Sequence, residues 1–371
     1  MATTTQTQTA LVGDNDGNIV LSRSAPVPRL TDDDHIAVSV KAVSLNPVDT
    51  KMVGAYHTPD AISGCDFAGV VTAVGPAVAT CSDIKVGDRV CAAISGLNPL
   101  RPENGAFGEH ATAPAWASLK IPPSWSFAHG ASLGTPWMTV GMALFWSLDL
   151  DRGPLLELSG QADPRPAATN GDKKPTTVLV SGGASATGTA TIQLLKLAGY
   201  DVVATCSPRN SELVRSYGAD RVFDYHSPGC AADIKAHTRN VLRYAVDCIT
   251  SPDSTRLCYA ALGRAGGRYT ALDAYSEAVT ATRKIVRADW VLGPELLGED
   301  IAWPAPHGRP ANPEAKAFCV EWTRTLQGLL DRGLIRPHPL RVSDKGLKGV
   351  LDGFAEIRAK KVSGEKLVYT L

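Results

Sequence analysis

A short glycine-containing turn between an apolar strand and a helix is the stretch of this sequence best suited to chemistry. The run Val178–Val180 predicts a buried strand, and Gly183, Ser185 and Gly188 follow it in the spacing of the G-x-G-x-x-G fingerprint, with serine in the middle. Such a turn places a pyrophosphate over the free N–H groups at the start of a helix. The turn predicts a dinucleotide site, although a plain small-residue turn in an α/β sheet is the alternative.

The residues that end the next strand favour a phosphorylated cofactor. NAD enzymes carry an acid at this place, about 20 residues after the turn, to bind the ribose 2′-OH. Here the strand Asp201–Thr205 is followed by Ser207, Pro208, Arg209 and Asn210. A guanidinium forms charge-assisted hydrogen bonds with a phosphate, whereas a carboxylate would repel it. The sequence predicts NADPH; a solvated turn with one surface arginine is the alternative.

The composition excludes several classes of function. The chain has 371 residues, with 37 Lys and Arg balanced by 37 Asp and Glu, which argues against nucleic acid or an anionic membrane as the principal partner. Its eight cysteines are scattered without a C-x-x-C pair, so we expect a reduced, cytoplasmic protein. We find neither a secretory signal nor an apolar run long enough to span a bilayer.

The elements around the turn predict two kinds of domain. The chain is β-rich up to about residue 117 and then helical over Phe127–Leu148. About six strands alternating with helices predict a doubly wound parallel sheet. They lie between an exposed polar loop at 151–176 and a Pro-rich segment at 293–313. The remaining predictions are a helix over 315–330, strands over 334–340 and 366–370, and a helix over 350–360.

The sequence resembles the zinc-independent branch of the medium-chain dehydrogenase/reductase superfamily. The matching segments are the nucleotide turn, Asn46–Lys51, Gly64–Gly75, Val86–Val90 and Gly105–Glu109. The resemblance implies an α/β fold with a GroES-like catalytic domain at 1–145, a Rossmann domain at 146–325 and a C-terminal return to the catalytic domain at 326–371.

The same resemblance argues against a zinc site. Zinc members carry a cysteine ligand and a His-Glu pair where this chain has Asn46-Pro47-Val48 and Cys65-Asp66. Zinc requires three or four correctly spaced ligands. We therefore expect no metal.

Further segments are similar to the trans-acting enoyl reductases of fungal polyketide pathways. They include Ala204–Pro208, Leu242–Thr250, Trp303–Pro306 and Ser363–Leu367. This similarity implies hydride delivery from NADPH to the β-carbon of an α,β-unsaturated thioester, followed by protonation of the α-carbon. The implied partner is the acyl carrier protein domain of a polyketide synthase or of a synthase–peptide synthetase hybrid.

The nucleotide turn, the end of the second strand and the resemblance together indicate the site residues. Lys51 and Thr139 are the catalytic candidates; a surface lysine and an ordinary buried helix are the alternatives. The expected cofactor contacts are Val48, Asp49, Thr50, Lys51, Ala184, Ser185, Ala186, Thr187, Ser207, Pro208, Arg209, Asn210, Tyr225, Leu272, Asp273, Ser363 and Gly364. The expected acyl-chain contacts are Thr139, Val140, Gly141, Met142, Ala143, Leu144, Phe145, Trp146, Pro294, Glu295, Leu296, Leu297 and Gly298.

Two other functions fit the same sequence. One is a free quinone or enone reductase of the same superfamily. The other is a non-catalytic nucleotide-binding relative, which Ser185 in place of the middle glycine favours slightly. We expect a monomer, because the Pro-rich segment at 293–313 would obstruct dimerisation through the edge of the Rossmann sheet.

Overall fold

The protein is described by a computed structural model that covers residues 6–161 and 175–371. The chain divides into two compact units. The first contains the described residues up to Met138, together with Pro294–Gln327 and Pro337–Leu371. The second contains the described part of Thr139–Gly293 and Gly328–Arg336. The division differs from the one drawn on the sequence, because Pro294–Gln327 falls in the first unit.

The described residues form the following strands and helices. The strands are β1 Thr7–Gly13, β2 Ile19–Pro26, β3 His35–Ser44, β4 Asp66–Val74, β5 Arg89–Ala93, β6 His110–Pro114, β7 Ser118–Lys120, β8 Thr177–Ser181, β9 Asp201–Cys206, β10 Arg221–Asp224, β11 Tyr244–Asp247, β12 Gly267–Ala271, β13 Val286–Trp290, β14 Leu340–Ser343 and β15 Lys366–Thr370. The helices are α1 Val78–Cys81, α2 Phe127–Ala131, α3 Gly134–Gly141, α4 Gly153–Ser159, α5 Ala186–Leu197, α6 Ser211–Ser216, α7 Cys230–His237, α8 Pro252–Ala261, α9 Glu277–Thr280, α10 Pro313–Asp331 and α11 Gly346–Arg358.

The first unit is a β-rich domain built on one long sheet. Its strand order is β14-β15-β3-β4-β5-β7, with β6 also paired to β3, and β1 and β2 form a separate antiparallel pair. β3 pairs with β4, β6 and β15, and its ten residues are mostly buried. Helix α11 packs its apolar face on the same core through Val350 and Phe354. This is the GroES-like architecture expected from the resemblance.

The second unit contains a six-stranded, fully parallel sheet in the order β10-β9-β8-β11-β12-β13. Counted within the sheet this is the order 3-2-1-4-5-6 of a Rossmann fold. The interior strands β8 and β9 are almost entirely buried, as expected for parallel strands covered on both faces. The predicted doubly wound sheet is confirmed.

Several local predictions need correction. The helical stretch predicted over 127–148 is three pieces: α2, α3 and a π-helical segment, Met142–Ser147. Helix α4 forms within the loop predicted at 151–176. Its buried residues Leu155 and Leu156 give it an apolar face, but the polar residues around them made the whole segment resemble a loop. Residues 162–174 of that loop lie outside the described residues.

The strand predicted over 334–340 was wrong for nearly all of its length. Pro337 and Pro339 have no N–H to donate, so β14 begins only at Leu340. Its neighbour β15 matches the predicted 366–370. Within the described residues, no helix is long and apolar enough to cross a membrane.

Candidate active site

The nucleotide turn lies at the carboxyl end of β8. Ser185 is the N-cap of α5: its hydroxyl accepts a hydrogen bond from the Gly188 N–H at 3.0 Å and donates one to the Gly182 carbonyl oxygen at 2.9 Å. Gly182 has a φ of +80°, which favours glycine. The serine at the middle position is thus part of the turn's own hydrogen bonding, and it gives no support to a non-catalytic relative.

Gly188 allows the turn and the helix to approach closely. A Cβ at this position would lie 2.3 Å from the Gly182 carbonyl oxygen, which is backbone and cannot move aside cheaply. This is the role of the third glycine in a dinucleotide-binding turn. The N–H groups of Ala186 and Thr187, in the first turn of α5, lack intrahelical partners by geometry. The turn therefore fits a pyrophosphate.

The end of β9 presents the residues expected to meet a 2′-phosphate. Pro208–Asn210 forms a short 3-10 turn, and the Asn210 amide donates to the Ser207 hydroxyl at 3.3 Å. Arg209 is exposed and makes no hydrogen bond or ion pair with any other residue in the described part of the chain. An acid does lie on the adjacent strand, since Asp224 is in register with Cys206. Its carboxylate accepts a hydrogen bond from the His226 N–H, which lowers the pKa of Asp224.

Tyr225 follows directly after β10 and is 48% exposed. Its ring lies against the His226 ring, with centroids 4.1 Å apart and planes tilted by 34°. A half-exposed aromatic surface at the end of a Rossmann strand suits an adenine ring, which stacks on such faces.

The other predicted contacts of the second unit share the same edge of the sheet. In register, Ser181 of β8 lies beside Asp247 of β11, which lies beside Ala271 of β12. Leu272 and Asp273 follow β12, and the Leu272 N–H donates to the Thr250 hydroxyl at 3.2 Å. Carboxyl ends of parallel strands form the ligand crevice of this fold.

The Asp247 side chain accepts four hydrogen bonds from neighbouring residues. Its carboxylate accepts from the hydroxyls of Ser254 at 2.7 Å and Tyr269 at 2.9 Å, and from the N–H groups of Ile249 and Thr250, both at 3.1 Å. This fully buried carboxylate organises the strand end.

The segment predicted to line the acyl pocket begins in α3 and continues through the π-helical segment. Thr139 is 8% exposed, and a Cβ built on Gly293 would lie 3.6 Å from its hydroxyl oxygen. Val140 to Phe145 are buried, and Trp146 is partly exposed. Short π-helical segments occur frequently at functional sites. Most of these side chains nevertheless pack in the core, as the ordinary-helix alternative requires.

In the first unit, Lys51 ends a tightly bonded turn. Asn46 caps the 3-10 turn Pro47–Thr50: its backbone N–H donates to the Asp49 carboxylate at 2.7 Å. The Lys51 N–H closes the turn on the Val48 carbonyl at 2.9 Å. The Lys51 side chain is exposed, whereas Asp49 is 3% exposed. Val48 and Thr50 lie within the same turn.

The buried carboxyl of Asp49 has an unusual acidity. Burial raises the pKa of Asp49 to about 7; the Asn46 N–H opposes this shift and the charge of Asp66 adds to it. Burial likewise raises the pKa of the Cys65 thiol. At neutral pH the Cys65 thiol is therefore protonated, whereas the Asp49 carboxyl is about half protonated.

A lysine that sequence reasoning missed lies at the centre of this cluster. The ammonium of Lys366, on β15, donates to the Asn46 side-chain oxygen at 2.6 Å and lies 3.4 Å from the Asp66 carboxylate. Ser363 and Gly364, predicted to meet the cofactor, directly precede this strand. The only sequence signal was a lysine at the start of a mostly apolar strand.

In the second predicted acyl-pocket segment, Pro294–Gly298, one side chain is bound to residues outside the segment. Glu295 pairs with Arg309 and accepts a hydrogen bond from the Asn312 amide at 2.6 Å. Leu296 is 3% exposed. Pro294, Leu297 and Gly298 are partly buried.

Across residues 6–161 and 175–371, no group of three or more His, Cys, Asp or Glu side chains is placed to hold a metal ion. The Asn46 side-chain amide donates a hydrogen bond to the Asp66 carboxylate at 2.8 Å.

Comparison with known proteins identifies the family. Residues 32–123 match the family described as Alcohol dehydrogenase GroES-like domain, and residues 186–280 match the one described as Zinc-binding dehydrogenase. The fold is shared with an alcohol dehydrogenase superfamily protein from Novosphingobium aromaticivorans, whose crystal structure has a TM-score of 0.74 at 21% identity and covers 98% of this chain and 100% of that one.

Full-length relatives refine the assignment. The chain is 63% identical to the trans-enoyl reductase tasC of Hapsidospora irregularis and 59% identical to the trans-enoyl reductase cghC of Chaetomium globosum, in each case over 100% of both chains. At this identity and coverage the chain belongs to the trans-enoyl reductases of the medium-chain dehydrogenase/reductase superfamily, nicotinamide-dependent oxidoreductases that reduce carbon–carbon double bonds.

Proposed function

We propose that this enzyme uses NADPH to reduce the α,β-unsaturated thioester of an acyl chain carried by the acyl carrier protein of a polyketide synthase or synthase–peptide synthetase hybrid. The full-length similarity to trans-enoyl reductases supports the reaction type. The resemblance to trans-acting enzymes of fungal polyketide pathways supports a partner on a separate chain.

The residues of the second unit fit NADPH. The first turn of α5 offers N–H groups to the pyrophosphate, and Gly188 keeps the approach to it open. Tyr225 offers a face to the adenine, and Ser207, Arg209 and Asn210 offer donors to the 2′-phosphate. When bound, NADPH supplies the hydride for the reduction.

The chain's own residues must bind and polarise the thioester, and the enolate formed by hydride addition must then be protonated at its α-carbon. Lys51 offers an ammonium that can stabilise the negative charge developing on the thioester oxygen during reduction. Thr139 offers a hydroxyl for the same carbonyl or for the nicotinamide amide. Each group accelerates the reaction only if its contact strengthens as the charge develops.

The observation that carries the cofactor assignment is the exposed Arg209 at the end of β9, without a partner among the described residues. Hydrogen bonds to charged groups are worth about 1.5–3 kcal/mol, so Arg209→Ala should weaken NADPH binding by about 10- to 100-fold. NADH has no phosphate at this place, and its binding should stay unchanged.

Isothermal titration calorimetry with both nucleotides provides the test. Arg256→Ala is the matched control, because Arg256 is an exposed arginine of the same unit that pairs with Asp253 on α8. Equal loss of NADPH and NADH affinity in Arg209→Ala, or tighter binding of NADH by the unaltered enzyme, would contradict the assignment.

A further inference from the structure

Lys366 is a buried lysine whose ammonium makes two hydrogen bonds and one ion pair. Its side chain is 3% exposed. The ammonium has three protons, and three oxygens surround it: Asn46 Oδ1 at 2.6 Å, Leu45 O at 3.1 Å and Asp66 Oδ2 at 3.4 Å. Among the residues that the structure describes, it is the only lysine in the buried class. Lysine is almost never buried without such partners.

The groups that Lys366 contacts are linked to one another. The Asn46 amide donates to the same Asp66 oxygen at 2.8 Å, and the Asn46 backbone N–H donates to the Asp49 carboxylate at 2.7 Å. The other Asp66 oxygen accepts from the Thr135 N–H and hydroxyl, both at 2.6 Å. The lysine therefore closes a network that joins β15, the end of β3 and the start of β4.

This network ends at two elements that carry the catalytic candidates. Asn46 caps the turn Pro47–Thr50, which Lys51 closes. Thr135 is in the first turn of α3, the helix on which Thr139 lies. Removing the Lys366 ammonium would leave the Asn46 side-chain oxygen and the Leu45 carbonyl oxygen without this donor, so the backbone at the start of the turn would be held less firmly.

Stability alone does not account for the buried charge. The following strand residues, Leu367, Val368 and Tyr369, are apolar and buried. Replacing a buried ion pair with apolar groups of similar volume is often neutral or stabilising. Apolar side chains at both 366 and 66 would serve the core as well, but they could not hold the Asn46 amide.

We propose that Lys366 is a positioning residue for the enoyl reductase reaction: its ammonium holds the Asn46 amide and the Asp66 carboxylate and thereby fixes the turn that presents Lys51. The proposal rests on the proposed function in one respect, the catalytic role of Lys51.

The test is a double-mutant cycle between Lys366→Met and Lys51→Ala, measured as kcat with NADPH and an enoyl-pantetheine thioester. Because Lys366 acts through Lys51, Lys366→Met should lower kcat about tenfold or more in the unaltered background and have almost no effect in the Lys51→Ala background. Additive losses, or an unchanged kcat in Lys366→Met, would overturn the proposal. An unchanged kcat in Lys51→Ala would instead remove the proposed role of Lys51, and the inference with it.

A second readout separates positioning from general destabilisation. Lys366→Met should speed amide hydrogen exchange in a peptide that contains Pro47–Lys51. Val368→Ala is the matched control: it creates a cavity in the same strand at a fully buried position outside the network, so it should lower the melting temperature but leave kcat and exchange in the turn unchanged. Equal effects of the two variants on exchange in the turn would contradict a specific role for Lys366.

A charge-balanced variant keeps the test decisive if Lys366→Met does not fold, because Asp66 would then be left as an unpaired buried charge. Lys366→Met/Asp66→Asn is compared with Asp66→Asn alone, each with and without Lys51→Ala. If the double variant has a lower kcat than Asp66→Asn only when Lys51 is present, the proposal is supported. A decrease of the same size with and without Lys51→Ala refutes it.

Discussion

At the scale of single residues, the proposed chemistry depends on two side chains with contrasting surroundings. Lys51 is exposed at the end of a capped turn, whereas Thr139 is buried in the helix that leads to the π-helical segment. We expect both Lys51→Ala and Thr139→Val to lower kcat about 100-fold, the loss typical of removing one donor to a developing oxyanion.

The fold should survive both changes, and a thermal melt alongside the NADPH oxidation assay checks this. Lys85→Ala is the control for Lys51→Ala, because Lys85 is an exposed lysine in a turn of the same unit. If both variants keep kcat within about threefold of the unaltered enzyme, the two residues do not bind the reacting thioester.

The buried Asp49 carboxyl predicts a pH dependence of stability. Its pKa is about 7 in the folded protein and 3.8 in an unfolded chain, so the folded state holds a proton that the unfolded state has lost between these values. This group's contribution is therefore fully present below about pH 4 and is lost as the pH rises through about 7, with a slope of at most about 1.4 kcal/mol per pH unit.

Urea denaturation across this pH range measures the effect. In Asp49→Asn the amide does not titrate, so the free energy of unfolding of the unaltered enzyme should fall relative to that of the variant as the pH rises. A difference between the two proteins that is constant from about pH 4 to pH 7 would show that Asp49 is ionised throughout.

At the scale of elements, the strand–turn–helix unit of β8 and α5 is the most sensitive part of the second unit. Gly188→Ala would place a Cβ 2.3 Å from the Gly182 carbonyl oxygen. Relieving this clash requires the helix to shift, which we expect to cost about 1–3 kcal/mol of unfolding free energy and to weaken NADPH binding.

The matched control is Gly229→Ala, at the start of α7 in the same unit, where the nearest atom to a new Cβ is an Asp233 carboxylate oxygen at 3.6 Å. Thermal melts and calorimetric titration of the two variants should differ clearly. Unchanged stability and NADPH affinity in Gly188→Ala would mean that the close approach is not required.

The elements also show what local sequence could predict. The Rossmann strands were recognisable because each is a short apolar run followed by turn and helix residues, as at Val178–Val180. The strand prediction over 334–340 was wrong. The apolar residues of this segment favour a strand, but its two prolines cannot donate the hydrogen bonds that a strand needs. The Lys366 network could not be predicted from spacing, since Lys366 and Asn46 are 320 residues apart in sequence.

At the scale of the whole molecule, we propose a monomer. The edge strand β13 of the Rossmann sheet has only five residues, and Arg287 and Asp289 are exposed on it. Short, charged edge strands resist pairing with a second sheet. Sedimentation equilibrium should give a mass near 39.1 kDa; twice that mass would contradict the proposal and point to pairing through this edge.

The central claim is that the enzyme reduces carrier-bound enoyl thioesters with NADPH. The most direct measurement is the consumption of reduced nicotinamide by the purified enzyme with an enoyl chain on its carrier protein, in parallel with NADH as donor and with a small quinone as acceptor. We predict rapid turnover only with NADPH and the thioester, and a saturated acyl product by mass spectrometry. Faster turnover with NADH or with the quinone, or none with any thioester despite tight NADPH binding, would contradict it.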